Sequence, residues 1–180
     1  MTAEELSSLI DWAKEISVDA PTPDLVSPSI PIATEVVRFV DRFMKDSQNT
    51  LSGYDASEGA LYVLFALVVL YHPKAPRFFA IDNFGHALHP RLARRLMEIL
   101  AVGSHSESRQ VILTTHCPLV LDSLDLADDA IRLLAVNRTE GGHTEVIRIP
   151  YHDALANARA KGLTLSQMWT QGVLGAVPNL

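Results

Sequence analysis

The apolar positions along this chain change their period several times, and each change marks an element. Over residues 3–16, Leu6, Leu9, Ile10 and Ala13 fall on one stripe, which predicts a helix. Pro21, Pro23, Pro28 and Pro31 forbid its continuation, so 19–33 is expected to be an extended connector. Residues 35–44 (EVVRFVDRFM) set Val37, Phe39 and Asp41 against Val36, Arg38, Val40 and Arg42, a pattern open to strand or helix, with strand preferred. Residues 57–71 are apolar on nearly every side, which predicts a helix covered on all faces. RFFAID at 77–82 reads as a short buried strand ending in a carboxylate. Pro90 suits a first helical turn, and Leu92, Leu96, Ile99 and Leu100 form the stripe of a helix over 90–101. After a polar loop at 103–109, QVILTTH at 110–116 is rich in β-branched residues and reads as a second buried strand. The two strands and the helix between them make a βαβ unit, whose strands should run parallel. Beyond Pro118, 131–137 and 143–149 flank Glu140, Gly141 and Gly142, the mark of a hairpin, and two short helices should follow.

Composition narrows the class. A length of 180 residues suits one domain, and no internal repeat suggests a solenoid. With 21 acidic against 15 basic side chains the net charge is −6, so no overall basic field draws in nucleic acid. The lone cysteine, Cys117, excludes an internal disulfide framework, and MTAEELSSLI lacks the basic and long apolar regions of a signal peptide. The longest mainly apolar stretch, Ala60 to Tyr71, is shorter than the ~20 residues that cross a bilayer. A cytoplasmic location without membrane partners is therefore expected.

The polar residues at the strand ends carry the candidate chemistry. Asp82 closes one predicted strand and His116 the other, so both should project at the sheet edge where open α/β sheets bind ligands. A fixed carboxylate there can position hydrated Mg²⁺, a hard cation that prefers oxygen ligands. Taken singly, Asp82 suits a structural cap equally well, and a lone histidine after a strand is more often structural. Asp55, Ala56, Ser57, Glu58 and Gly59 open the apolar helix with Ser57 as N-cap. Capping alone accounts for them; alternatively Ser57 and the free N–H groups face an anion, which Gly59 lets approach closely. His86 and His89 with Asp82 or His116 offer a zinc-like set, although HALH is not a helical i, i+4 pair. Arg91, Arg94 and Arg95 read as a solvated helix face.

Order and spacing bind these pieces together. SEG at 57–59, an apolar helix, FFAID at 78–82, HALHP at 86–90 and VILTTHCPLVLD at 111–122 follow one another. The run resembles the second half of ABC-type ATPase heads, especially RecF, SMC and OLD-like predicted ATPases of the AAA type. LSQMWTQGVLG at 165–175 is similar to the tail of that family. The resemblance implies a P-loop-NTPase-like α/β fold, with parallel central strands, flanking helices, and ATP and Mg²⁺ as cofactors. It implies that Ser57, Glu58 and Gly59 form the signature that meets ATP on an opposing head. Asp82 would be the Walker B aspartate, Ala87 and Leu88 part of the D-loop at a dimer interface, and His116 the switch histidine. Residues 1–33 would form an N-terminal helix and connector, 34–150 the second half of the head, and 151–180 a helical tail.

Two departures qualify this expectation. The family's catalytic Glu is replaced by Asn83, an amide that cannot take a proton from water; loss of a general base costs on the order of 10² to 10⁴ in rate. Moreover, no Gly in these residues is followed by Lys, so they contain no GxxxxGK[ST] loop, and the fold is incomplete without that half. A Walker A-bearing segment or subunit must supply it, in a homodimer or hetero-oligomer that could reach nucleic acid only once assembled. The alternative is a catalytically impaired module that completes or regulates a partner's nucleotide site.

Overall fold

In the computed structural model, Leu6, residues 9–22 and residues 34–174 are described, the side chains of 153 and 154 excepted. The chain folds as two compact units, Met1–Ala75 and Pro76–Leu180.

The first unit is built on an antiparallel sheet of β1 (Ala13–Asp19), β2 (Val36–Asp41) and β3 (Thr50–Ser52), in the order β1-β2-β3. The helix expected over 3–16 therefore gives way to a strand at Ala13. Ile16 and Val18 pair with Phe39 and Val37 across the sheet, and cross-strand pairing overrides a short helical period. The Trp12 ring lies 5.5 Å from the fully buried Phe39 and anchors the start of that strand. Arg38 on β2 donates to Asp19 at 2.7 Å and to Glu15 at 2.8 Å, both on β1. Most of the Pro-rich connector, residues 23–33, lies outside the described residues.

The loop after β3 leads into α1 (Glu58–Tyr71). Asp55 accepts from the Ser52 N–H and hydroxyl at 3.0 and 2.6 Å, and the Ser57 hydroxyl accepts from the Ala60 N–H at 3.2 Å. Ser57 is thus the N-cap that its position predicted. The helix is not covered all round. Ala60, Val63, Ala66, Leu67 and Leu70 are buried, whereas Phe65 is 54% and Val68 45% exposed. An apolar sequence lets a helix be buried on every side, but only neighbouring elements can do the burying.

The second unit contains the βαβ element. β4 (Phe78–Ile81) and β5 (Gln110–Leu113) pair in parallel, joined through α2 (Pro90–Ser106). They are the only parallel strands among the described residues. His89 caps α2 through Nδ1, which accepts from the Arg91 N–H, and Pro90 occupies its first position. Ala93, Leu96, Met97, Leu100 and Gly103 form its buried stripe. The helix runs to Ser106, through much of the loop expected at 103–109. Gly103 faces the core, and the Ser104 and Ser106 hydroxyls bond back to the Ala101 and Gly103 carbonyls, each at 3.0 Å.

After β5 come α3 (Pro118–Leu121), the hairpin β6 (Leu133–Arg138) and β7 (Thr144–Ile149), then α4 (Asp153–Ala160) and α5 (Leu165–Thr170). The hairpin and the two short helices match the sequence reading. The Asp122 carboxylate accepts from the Ser166 N–H at 2.8 Å and its hydroxyl at 2.7 Å, tying α5 to the end of α3.

Leu96 is fully buried, so Leu96→Ala should cost about 2–5 kcal/mol, seen as a lower midpoint in urea unfolding. In the first unit, hydrogen bonds from Ser17 and then Arg38 hold the Asp19 carboxyl below its ordinary value of 3.8. Its contribution is therefore complete above that value and is lost as acid takes the pH down through the folded value. Arg38→Ala should move the Asp19 midpoint upward in an NMR acid titration, and an unmoved midpoint would count against the pairing.

Candidate functional site

The parallel register sets Ile81 beside Leu113, so the next residues out of the two strands are Asp82 and Thr114. Their side chains meet: the Thr114 hydroxyl donates to Asp82 Oδ1. The same hydroxyl accepts from the Asn83 N–H at 2.8 Å. The Thr114 carbonyl accepts from the Phe84 N–H at 2.6 Å, and its own N–H donates to the Ile81 carbonyl at 3.1 Å. One residue on, the Thr115 hydroxyl donates to the Phe84 carbonyl at 2.8 Å. Residues 82–84 are thereby laced to 114–115 by main-chain and side-chain bonds together.

Main-chain bonds still join Thr114 to Ile81 and Phe84, but the regular ladder ends at Leu113 and residues 114–117 form a loop instead of continuing the strand to 116. His116 therefore does not close a strand; it lies three residues beyond β5, exposed in the loop before α3. Asp82 follows β4 directly, as expected, and its carboxylate is exposed at the strand's C-terminal end.

Asn83 has φ 52°, a left-handed conformation that asparagine tolerates far better than longer side chains. Asparagine thus suits the backbone at this position. Gly85 follows with φ +87°, and a Cβ there would lie 3.1 Å from the Ala93 Cβ. This close approach seats the loop on α2. Leu88 is buried and Ala87 half-buried, so the segment 86–90 is anchored through Leu88. His86 Nδ1 lies 3.0 Å from the Asn83 carbonyl, while His89 Nδ1 is engaged in capping α2. Both imidazoles are used locally, and among the described residues no three His, Cys, Asp or Glu side chains gather as a metal site.

Ser57, Glu58 and Gly59 stand at the N-terminus of α1 in the first unit, where Ser57 and Glu58 are exposed and Gly59 half-buried. Asp82, Asn83, Ala87, Leu88 and His116 all belong to the second unit. Thr114 is the residue that sequence reasoning passed over. The signal was available: in a parallel pair aligned on FFAI and QVIL, Thr114 occupies the position facing Asp82.

Side-chain alternation along the strands places Phe78, Ala80 and Asp82 on one face with Gln110, Ile112 and Thr114. That face is open, with Phe78 53% and Ile112 49% exposed. The opposite face holds the buried Phe79 and Ile81.

Residues 4–122 match a family described as "AAA domain, putative AbiEii toxin, Type IV TA system", well over half of the chain. The chain belongs to this AAA-domain family. No curated protein matches it. A solved structure from work described as "Structural biochemistry of ATP-driven dimerization and DNA stimulated activation of SMC ATPases" aligns with a TM-score of 0.50 at 13% identity. The alignment covers 90% of this chain and 91% of that one. At this identity the likeness is one of fold, and the mixed α/β architecture is consistent with a P-loop-NTPase-like fold. The chain is an ATPase-type domain of the ABC/AAA kind. No helix among the described residues is long and apolar enough to cross a membrane.

Gly85→Ala would force a side chain into both a left-handed backbone and the face of α2. It should lower stability by about 1–3 kcal/mol, measured by thermal or urea unfolding. A neutral effect would show that the loop does not rest on Ala93.

Proposed function

We propose that this chain is one half of an ATP-hydrolysing head, completed by a polypeptide that carries a phosphate-binding loop. The observation that carries the reading is the exposed Asp82–Thr114 pair at the end of two parallel strands whose same-side face is open. Parallel strands are ordinarily covered on both faces. Whatever segment covers Phe78, Ala80 and Ile112 also arrives beside Asp82. The 180 residues contain no GxxxxGK[ST] loop, so the nest of backbone N–H groups that cradles phosphate comes from that other segment.

Within this reading, residues 34–150 form the working half and each polar residue has one task. The Asp82 carboxylate, held by the Thr114 hydroxyl, presents oxygen, the donor atom that fits Mg²⁺. Bound there, Mg²⁺ would neutralise charge on the transferring phosphoryl group. Asp82 orients that cation through water, and His116 reaches toward the γ-phosphate from its exposed turn. Asn83 orients the attacking water without taking its proton, which makes turnover slow. Ser57, Glu58 and Gly59 present the N-terminus of α1 to the ATP held by an opposing copy, so the assembled head is a dimer or hetero-oligomer. Ala87 and Leu88 lie along that interface. The toxin–antitoxin setting in the family's description and the dimerising SMC ATPases of the structural neighbour both favour an assembled, defence-linked machine inside the cell.

A second reading is favoured by Asn83 itself: the half binds ATP with its partner and regulates it without hydrolysis. Mixing the full chain with a polypeptide bearing the phosphate loop separates the two. Under the first reading, turnover appears only in the mixture, disappears in Asp82→Ala, and rises on the order of 10²-fold in Asn83→Glu, less whatever the left-handed backbone exacts. ATP binding without turnover, unchanged by Asn83→Glu, would establish the regulatory module. Turnover indifferent to Asp82→Ala would overturn the assignment of the site.

A further inference from the structure

We infer that Thr114 is a positioning residue, whose single hydroxyl locks the Asp82 carboxylate and the Asn83 backbone into one unit. The inference rests on the reading of Asp82 as a cation ligand. A threonine hydroxyl has one proton to give and two lone pairs to accept with. Here the proton goes to Asp82 Oδ1 and one lone pair takes the Asn83 N–H at 2.8 Å. Among the described residues Asp82 Oδ2 has no hydrogen-bond partner, so the carboxylate has one oxygen tied and one free.

That asymmetry is what a cation ligand needs. An exposed aspartate at a strand end rotates about its two side-chain torsions, and each rotamer moves its free oxygen by a different amount. The bond to Thr114 selects one of them. Threonine is stiff about its first torsion because of its branched β-carbon, and the parallel register fixes its backbone beside Asp82. The second bond extends the effect to Asn83. Its amide direction sets the left-handed turn at φ 52°, and so determines where the Asn83 side chain leaves the loop. A cation ligand and a water-orienting amide are therefore held by one hydroxyl from the neighbouring strand. Groups that orient a metal ligand from behind typically change metal affinity 10–100-fold when removed.

The test uses the ¹⁵N-labelled full chain and Mn²⁺ alone, a paramagnetic cation with the same taste for oxygen as Mg²⁺. In the parent chain, Mn²⁺ should broaden the amides of Asp82, Asn83 and Thr114 first, and Asp82→Asn should abolish that preference. Thr114→Val keeps the shape and removes the hydroxyl, and should raise the Mn²⁺ midpoint about tenfold. Thr114→Ser, which retains the hydroxyl, should restore a midpoint near the parent's. A merely structural threonine would not show this rescue. Equal midpoints for the parent and Thr114→Val overturn the positioning role while leaving Asp82 as the ligand. Broadening that is absent, or indifferent to Asp82→Asn, overturns the ligand reading and the positioning role with it. Should Thr114→Val fail to fold, the parent alone still decides: rapid hydrogen exchange at the Asn83 amide, with no protection from the Thr114 bond, also overturns the proposal.

Discussion

Two parallel strands cannot end independently, and this constraint organises the second unit. Once FFAI and QVIL align, the residues that follow them are forced into neighbouring positions, and their polar groups must satisfy one another or face water. Asp82, Asn83 and Phe84 on one side and Thr114 and Thr115 on the other resolve this with a short lattice of bonds. The left-handed turn at Asn83 and the close approach of Gly85 to α2 follow from the same lacing. Loop geometry here is a product of strand register more than of loop sequence.

The parts of the fold legible in the sequence were those whose signals are local. Ser57 caps a helix whichever way the chain continues, Glu140-Gly141-Gly142 turns a hairpin, and Pro90 opens α2. What escaped depended on distant partners. The helical stripe read over 3–16 was expected to carry through Ala13 to residue 16, but pairing with Phe39, Val37 and Arg38 makes Ala13–Asp19 a strand. Ser104 and Ser106 look like loop residues until their hydroxyls are seen to bond back onto the helix that contains them.

The candidate site shows the same division. Asp82 was recognisable because a carboxylate after four apolar residues needs a reason to be there. His116 was expected at a strand end, but β5 closes at Leu113 and His116 lies in the loop that follows, where Thr114 and Thr115 add side-chain bonds to the segment after β4. Thr114 carried no signal as a residue type. Its significance is relational, arising only from its position across from Asp82.

The open face of β4 and β5 has a consequence for how such a protein lives in a cell. Phe78 and Ile112 stand in water on a two-stranded sheet that has no third strand among the described residues. Bare apolar patches and unprotected strand borders promote indiscriminate self-association. Production of this chain with that face bare would therefore favour precipitation or proteolysis.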